Sequence, residues 1–431
     1  MGIVKQAVVV CVCLVVATRL SHVFETSLPV NFGGTWDPEF QKVADVFKRN
    51  VESGKEPGAA FAVYYKGKPV VDVWGGHADT ESVRPWKEDT TTLVFSCSKG
   101  IAAIILAKMV EKGTLDYSKK VSYYWPEFAQ QEKDNITVEM LISHQGGLVY
   151  LDEQLSIFDY KNNREKWQDT LAKQRTAWPA GKQFGYHALT FGLYVDELIQ
   201  HADPQRRDTD TVFQEEIAKP LGIDFHMKSP LSDSHRTARL VPRSKFQLLL
   251  DAMIYRRYLT AIYDIVFHPD SLMARSVSPV VEFSQRTDVL NNPYIREVTV
   301  SSLSGTGTAR GLAKMYGIIA NGGTHDGKQL LSKESINRLS QAVVRGADSV
   351  MRTGEVSEIG LGTLYRRNPW GERTVGHTGH GGQVAISDIK NNLGISYLTN
   401  HLTIHGVGDD PRYQDLEQVL YETISAIENK Q

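Results

Sequence analysis

The residue types best able to do covalent chemistry in this sequence stand one helical turn apart, at Ser96 and Lys99. A serine hydroxyl attacks a carbonyl carbon only if a base takes its proton. A lysine three residues further along a helix lies on the same face, so its amine can reach the serine oxygen. That amine acts as a base only if its pKa is lowered, by burial or by a second cation. The pair therefore predicts either a nucleophilic serine or a helix-capping serine followed by a surface lysine.

The residues after Ser96 favour a buried helix. Apolar residues at 101, 104, 105, 106, 109 and 110 have helical spacing and Gly113 is a natural stop, which predicts a helix over Ser96–Lys112. A helix N-terminus also favours the negative charge that develops during attack. The spacing alone is weak, because S-x-x-K recurs at Ser387–Lys390, where we expect a strand end entering a turn.

Two further stretches contain side chains suited to the same chemistry. Tyr186 lies in "GKQFGYHALTFGL", after a turn and before an apolar, helix-like run. His377 lies in "VGHTGHGGQVAISD", where several glycines allow the backbone to approach a ligand. Taken singly, Tyr186 is typical of a core aromatic, and the glycine-rich stretch is typical of a loop with positive φ.

Taken in order, the three motifs resemble those of the penicillin-recognising serine hydrolases. The nearest branch is that of the class C β-lactamases and their relatives, the β-lactamase-like esterases, D-amino-acid peptidases and animal β-lactamase-like proteins. That family carries S-x-x-K, then Y-x-N or Y-x-S, then K-T-G or H-x-G. The motifs stand here as Ser96-Cys97-Ser98-Lys99, Tyr186-His187-Ala188 and His377-Thr378-Gly379. Similar stretches at 136–148 and 304–323 extend the resemblance over roughly residues 46–400.

The resemblance implies a role for each matching position. Ser96 is expected to be the acylated nucleophile, and Lys99 to lower the barrier to its deprotonation. Tyr186 is expected to share the base role and to relay the proton to the leaving group. His377 is expected to contact the base and the substrate carboxylate, and the N–H groups of Ser96 and His380 to form the oxyanion hole. The remaining expected substrate-binding positions are Thr378, Gly379 and Ala188.

Two positions depart from the antibiotic-hydrolysing members. Ala188 replaces a residue with an amide side chain and offers no hydrogen bond to an acyl group. His377 replaces a lysine, and an uncharged histidine weakens the grip on a β-lactam carboxylate. Esterase-like relatives share this pattern. We therefore predict hydrolysis of an ester or amide through an acyl-enzyme on Ser96, with weak or no β-lactamase activity.

Two alternatives use the same fold. One is a scaffold or oligomer-forming protein without catalysis, since a fold does not settle function. The complete set of Ser96, Lys99 and Tyr186 argues against it, because a scaffold has no need to keep all three. The other is a peptidase acting on D-amino-acid peptides, which shares the chemistry and differs in substrate.

The elements that must position these residues follow from the hydrophobic pattern. Residues 58–76 predict a β-hairpin around Lys66-Gly67-Lys68, and residues 359–400 predict consecutive strands joined by short turns. A last amphipathic helix is predicted near Arg412–Lys430. A mainly helical section, roughly 117–300, separates the two β-rich parts. We expect an α+β fold of the β-lactamase/transpeptidase type, with an antiparallel sheet flanked by helices and an all-α subdomain.

The N-terminal segment has the composition of a targeting signal. Lys5 precedes an unbroken apolar run from Ala7 to Ala17, which is shorter than the roughly 20 residues that span a bilayer. We interpret residues 1–31 as a signal peptide or signal anchor with a short linker, and residues 32–431 as the hydrolase domain. The expected location is the secretory pathway, either secreted or anchored by a single pass. A mitochondrial presequence is the alternative.

Composition and motifs also indicate which partners to expect. The chain has 431 residues, a formal net charge of −2 and scattered cationic residues, which argues against nucleic-acid binding. It contains neither H-E-x-x-H nor a nucleotide-binding glycine motif, so we expect no metal and no organic cofactor. The expected partner is a small-molecule or peptide substrate, and a membrane only through an N-terminal anchor. Residues 260–279 match no motif.

Cysteines and one sequon complete the sequence reading. Cys11 and Cys13 lie in the N-terminal apolar run, so a mature chain would keep only Cys97 and could form no internal disulfide. Asn135 begins a glycosylation sequon, whose Thr137 is also a good helix N-cap.

Overall fold

The computed structural model describes residues 28–285 and 287–430. The predicted signal peptide or anchor, with Cys11 and Cys13, lies almost wholly outside this described part of the chain. Within it, no helix combines the length and the apolar character needed to cross a bilayer.

Most of the strands β1–β15 come from the two β-rich parts of the chain. In order they are Phe32–Trp36, Gly58–Tyr65, Lys68–Asp79, Arg84–Pro85, Thr92–Leu93, Phe225–His226, Thr306–Gly307, Thr324–His325, Lys328–Gln329, Val344–Ala347, Val356–Ile359, Leu364–Arg367, Arg373–Gly379, Gln383–Asp388 and Leu393–Thr399.

Helices α1–α17 fill the space around and between these strands. In order they are Gln41–Glu52, Cys97–Glu111, Val121–Tyr124, Val138–Ile142, Ile157–Asn162, Arg164–Lys173, Thr190–Ala202, Thr209–Phe213, Lys219–Leu221, Lys245–Ile254, Leu259–Phe267, Leu272–Ser276, Val281–Gln285, Pro293–Arg296, Ala309–Ala320, Lys333–Leu339 and Pro411–Glu428. Short 3₁₀ helices span Pro38–Phe40, Pro126–Ala129, Leu231–Asp233, Arg256–Tyr258 and Thr287–Asn291, and one π-helical turn spans Gln214–Ala218.

The main sheet is antiparallel and joins the two ends of the chain, as predicted. Its strand order is β1-β3-β2-β15-β14-β13-β12-β11-β10, with β4 paired to β3. The last strand of the sequence, β15, pairs with β2 over residues Ala59 to Tyr65. Every residue of β2 and of β15 is buried, so both faces of the sheet centre are covered.

Helices cover each face of the sheet. On one face, α1 and α17 pack their apolar sides against β2, β3 and β15, with Phe47, Phe61 and Leu420 fully buried in one cluster. On the other face, α2 and α15 belong to a larger cluster that continues into the helical section. Because α2 is buried almost all round, its residues are apolar on every side rather than along one stripe.

Most predicted elements have the predicted type. Helix α2 covers residues 97–111 of the predicted 96–112, and the predicted hairpin is β2–β3. The hydroxyl of Thr137 caps α4 by accepting the N–H of Met140 at 3.1 Å, and the neighbouring Asn135 is exposed. The stretch 359–367 is not one strand, because the Gly360 N–H closes a turn onto the Thr363 carbonyl at 2.9 Å.

The section between the two β-rich parts is mainly helical. It holds α3–α14 and, among its described residues, one named strand, β6. This strand has two residues and pairs with β7 outside the main sheet. The section packs against α2 through the larger core cluster, which places one side of the helical layer next to Ser96.

Candidate active site

Ser96 occupies the N-cap position of α2, but its hydroxyl does not cap the helix. It is partly exposed, whereas the residues on both sides of it are buried. The preceding residue, Phe95, has φ of +48°, a backbone conformation that a bulky side chain rarely adopts. After the sharp turn at Phe95, the Ser96 hydroxyl makes no capping hydrogen bond to the backbone of α2.

Lys99 lies one turn further along α2 and is completely buried. Its Nζ atom is 3.1 Å from Ser96 Oγ, and it donates to the carbonyl oxygens of Ala188 at 2.7 Å and of Ser302 at 3.3 Å. The Tyr186 ring centroid lies 4.8 Å from the same nitrogen. The amine therefore meets the serine hydroxyl on one side and two backbone acceptors on the others.

The surroundings of Lys99 favour its uncharged form. Among the described residues, no carboxylate forms an ion pair with it. Burial lowers the pKa of Lys99 well below that of a free lysine, and Cys97 opposes this only in part. This is the condition under which a lysine can take a proton from serine.

Tyr186 stands on the other side of Ser96. Burial raises the pKa of Tyr186, and a hydrogen bond with the Ser96 side chain opposes that rise. Its ring also contacts the His144 ring, with centroids 5.1 Å apart. The phenol is therefore protonated at neutral pH and can pass a proton on only when another group receives or replaces it.

Asp348 fixes the backbone of Tyr186. Its buried carboxylate accepts the Tyr186 N–H at 3.1 Å and the N–H groups of Val350 and Met351 at 2.8 Å each. Burial raises the pKa of Asp348, and these N–H groups oppose the rise. Sequence reasoning missed this residue, since it stands 162 positions from Tyr186 with no motif around it.

His144 and His187 form a buried support beneath Tyr186. The His187 N–H donates to His144 Nδ1 at 3.1 Å, and His187 Nε2 accepts the Leu148 N–H at 2.9 Å. His187 Nδ1 lies 2.7 Å from the Gly185 carbonyl oxygen, so it carries the proton. Burial lowers the pKa of His187 to about 4. The "SHQGG" motif at His144 was the available signal for this support.

His377 is buried beside the site and uncharged. Burial, reinforced by Lys99, lowers the pKa of His377 to about 3. Its ring centroid lies 6.1 Å from that of Tyr186, and its Nε2 atom has no hydrogen-bond partner among the described residues. The structure thus places His377 next to Tyr186, and no hydrogen bond joins it to Tyr186 or Lys99 among the described residues.

Strand β13 runs directly against the nucleophile segment. Cys97 Sγ lies 3.3 Å from the His377 carbonyl oxygen. A Cβ added at Gly379 would lie 2.4 Å from the Val94 carbonyl oxygen, and one added at Gly100 would lie 3.3 Å from the Cβ of His377. Both glycines are therefore required for the close approach of β13 to the start of α2.

The two expected oxyanion donors, the N–H groups of Ser96 and His380, come from these adjacent segments. Neither has a backbone acceptor among the described residues. The Phe95 and His380 rings touch edge to face with centroids 5.4 Å apart, which ties the two segments together. The N–H groups of Gly381 and Gly382 both donate to the His405 carbonyl, at 2.9 and 3.0 Å, and hold the β13–β14 loop in place.

The expected substrate-binding residues lie beside this site. Ala188 is partly exposed, and its carbonyl oxygen accepts a hydrogen bond from Lys99. The Thr378 hydroxyl donates to the Gly406 carbonyl at 2.7 Å. Gly379 has no side chain, and its backbone lies close to that of Val94.

The second S-x-x-K is not a site. Ser387 is buried within β14 and Lys390 lies in the exposed turn after it, as expected for a strand end. No group of three or more potential ligands in residues 28–285 and 287–430 is arranged to hold a metal ion.

The α+β fold brings Ser96, Lys99 and Tyr186 together in one candidate site. The family model described as Beta-lactamase matches residues 43–420. Esterase/beta-lactamase LipL of Mycobacterium tuberculosis (strain ATCC 25618 / H37Rv) is 30% identical over 380 residues, which are 86% of this chain and 83% of that protein. The chain therefore belongs to the β-lactamase family, and the resemblance inferred from its motifs is confirmed.

Solved structures agree with this assignment. A family VIII carboxylesterase is 29% identical with a TM-score of 0.78, and the match covers 91% of this chain and 99% of that one. EstA from Arthrobacter nitroguajacolicus Rue61a is 28% identical with a TM-score of 0.77, covering 92% and 99%. The predicted fold class is confirmed.

Proposed function

We propose that this protein hydrolyses esters or amides through an acyl-enzyme on Ser96. The observation that carries the proposal is the set of atoms around Lys99 Nζ: two carbonyl oxygens and one hydroxyl. A neutral amine has two N–H donors and one lone pair. The carbonyls of Ala188 and Ser302 use the two donors, so the lone pair faces the Ser96 O–H. This is the arrangement of a general base.

Acylation follows from this geometry. Ser96 Oγ attacks the carbonyl carbon of the substrate while its proton moves to the amine of Lys99. The carbonyl π electrons move to oxygen, which accepts hydrogen bonds from the N–H groups of Ser96 and His380. When the tetrahedral intermediate collapses, the bond to the leaving group breaks. The leaving oxygen or nitrogen takes the proton, relayed by Tyr186.

Deacylation repeats the steps with water. Lys99 takes a proton from a water molecule, by way of the Tyr186 hydroxyl, as the water oxygen attacks the acyl carbon. The bond to Ser96 Oγ breaks, and the serine recovers its proton. The net reaction converts an ester and water into an acid and an alcohol, or an amide and water into an acid and an amine.

Two features support esters over β-lactams. The relatives named above include an esterase and a carboxylesterase. The uncharged His377 has no positive charge to offer a β-lactam carboxylate, and Ala188 has no amide. Ester hydrolysis with weak or no β-lactamase activity is the function we propose.

Labelling with a fluorophosphonate, read by intact mass, tests the proposal. We expect one adduct on Ser96, absent in Ser96→Ala and much slower in Lys99→Ala. Ser387→Ala is the matched control, because it removes the serine of the second S-x-x-K and should keep the adduct. A folded wild-type chain without an adduct would favour the scaffold alternative. A labelled chain active on D-amino-acid peptides but not on esters would favour the peptidase.

A further inference from the structure

Helices α10 and α11, with the short turn between them, expose a continuous set of large apolar side chains. We call residues 245–267 the α10–α11 hairpin. Ile254 and Phe267 are 70% and 68% exposed. Single exposed apolar residues are ordinary, but a contiguous patch marks a binding surface. The exposed apolar residues of the hairpin are Phe246, Met253, Ile254, Leu259, Tyr263, Ile265, Val266 and Phe267.

The opposite side of the hairpin is fixed to the rest of the protein by the buried Ala252, by packing of Ala261 and by polar contacts. Asp264 is buried and accepts a hydrogen bond from Arg352 Nη1 at 3.2 Å. The Tyr258 hydroxyl donates to Asp409 at 2.8 Å and accepts the Gly406 N–H at 3.0 Å. An ordinary surface helix exposes mainly polar residues, whereas these helices also carry large apolar residues on their exposed side. The hairpin is therefore held in an orientation that directs its apolar side outward.

These attachments lie at the rim of the active site. Gly406 also accepts the hydroxyl of Thr378, next to His377. Arg352 lies four residues after Asp348, whose carboxylate accepts the N–H of Tyr186. The hairpin is therefore tied to the segments that carry His377 and Tyr186.

The charge of the hairpin favours anionic partners. Residues 243–268 contain four cationic and two anionic side chains, within a chain of net charge −2. Arg243 pairs with Asp251 at 3.1 Å, and Arg257 pairs with Glu355 at 3.0 Å and with Asp409 at 3.5 Å. Arg256 is exposed and has no acidic partner among the described residues, so its charge is available to a ligand. Of the two acidic groups, Asp264 is buried on the inner side.

We propose that the α10–α11 hairpin rests on an anionic lipid surface, with its apolar side chains among the headgroups and Arg256 against lipid phosphate. Amphipathic helices with apolar and cationic side chains bind membranes in this way without spanning them. A cationic residue near such a surface adds electrostatic attraction to the lipid phosphates. A second copy of this chain is a poorer partner, because the excess positive charge of one hairpin would repel that of the other.

The lipid contact also bears on the substrate, a step that rests on the proposed function. A rim seated on lipid gives Ser96 access to acyl esters that partition into the lipid phase. The preferred substrate is then a long-chain ester delivered from that phase rather than a soluble short-chain ester.

Hydrogen exchange of the full chain tests the contact without any need for activity. Vesicles of phosphatidylcholine with phosphatidylglycerol should slow exchange in residues 246–267 about tenfold or more. The double variant Ile254→Asp/Phe267→Asp should lose this protection. Tyr123→Ser is the matched control, since Tyr123 is 68% exposed on α3, and it should behave as the wild type.

Three results would overturn the proposal. One is unchanged exchange in 246–267 when vesicles are added. Another is equal protection by vesicles of phosphatidylcholine alone. The third is protection of 246–267 in the absence of vesicles. If dilution abolishes that protection, the partner is a second copy of the chain. If removal of residues 1–27 abolishes it, the partner is the chain's own N-terminal run.

A rate comparison separates this proposal from the proposed function. For a dodecanoyl ester held in the same vesicles, the double variant should lose about tenfold in rate, while hydrolysis of a soluble acetyl ester stays unchanged. An equal loss of rate on both esters would contradict the proposal that the substrate is delivered from the lipid phase. If the wild type hydrolyses neither ester, the proposed function fails, and the exchange result still decides the lipid contact.

Discussion

The carboxylate of Asp348 holds the backbone N–H of Tyr186 at 3.1 Å, across 162 positions of sequence. It is buried and has no cationic partner among the described residues, so its contacts are to backbone N–H groups. The loop after β10 thereby fixes the proton-relaying residue relative to Ser96. Asp348 acts as a positioning residue, since it touches neither substrate nor the reacting atoms.

Replacing Asp348 should therefore change turnover more than binding. Asp348→Ala leaves buried N–H groups without an acceptor, and we expect kcat to fall about 100-fold with KM nearly unchanged. Asp348→Asn keeps one acceptor oxygen and should retain most of the rate. Steady-state kinetics on a soluble acetyl ester, with thermal unfolding as the control for folding, checks both variants. Equal kcat in wild type and Asp348→Ala would contradict the assignment.

Lys99 should impose a distinctive pH dependence. Because burial lowers its pKa well below 10.5, the amine is unprotonated at pH values where a free lysine is charged, and the rate should fall only as acid protonates it. Lys99→Arg keeps a long cationic side chain that cannot lose its proton, so it should be inactive at every pH. Rate profiles of the two proteins decide this. Activity in Lys99→Arg would exclude Lys99 as the base.

The same residue should lower stability at neutral pH. Its pKa is lower in the folded than in the unfolded chain, so unfolding takes up a proton and the free energy of unfolding falls as pH drops below about 10.4. Lys99→Met removes this cost and should unfold at the same or a higher temperature at pH 7, despite losing activity. Thermal unfolding at pH 7 and pH 10 checks the sign. A wild type that gains stability on acidification through this range would contradict it.

The site should discriminate against β-lactams. We expect nitrocefin to be hydrolysed at least about 100-fold more slowly than a short-chain ester, because neither His377 nor Ala188 offers the group that grips it. Ala188→Asn adds an amide and should raise the nitrocefin-to-ester ratio. Comparable wild-type rates on both substrates would show the prediction to be wrong.

Gly100 and Tyr316 form a testable packing pair. A Cβ at Gly100 would lie 2.3 Å from the Tyr316 hydroxyl, which is buried without a hydrogen-bond partner among the described residues. Gly100→Ala should lower the free energy of unfolding by about 1–3 kcal/mol through overpacking. Tyr316→Phe removes the clashing oxygen, and the double variant should recover most of the loss. Additive effects in the double-mutant cycle would contradict this contact.

Much of the fold could be predicted because local signals agreed with the tertiary structure. The apolar run after Ser96 is long enough to identify α2, and the Lys66-Gly67 turn identifies the first hairpin. The motifs at Ser96, Tyr186 and His377 were sufficient to identify the family. Each of these signals lies within a few consecutive residues.

The remainder depends on contacts between distant segments. Asp348 reaches Tyr186 only because the loop after β10 returns to the helical section, and no periodicity reports this. From its sequence, the α10–α11 hairpin is predicted to be an ordinary pair of apolar helices. The sequence does not indicate which side of these helices packs against the protein. The uncharged state of His377 likewise follows from complete burial rather than from its motif.

The pairing of β2 with β15 has a consequence for how the enzyme is made. Ser96 and Lys99 leave the ribosome early, but the strand that closes over them, β13, follows some 280 residues later. Until then the Lys99 amine is hydrated and charged, and the serine beside it is inert. Closing the sheet must also await the very distant β15, a non-local step of the kind that folds slowly. In the nascent chain Ser96 is therefore unreactive, and we expect reactivity to begin only after β13 and β15 have been synthesised.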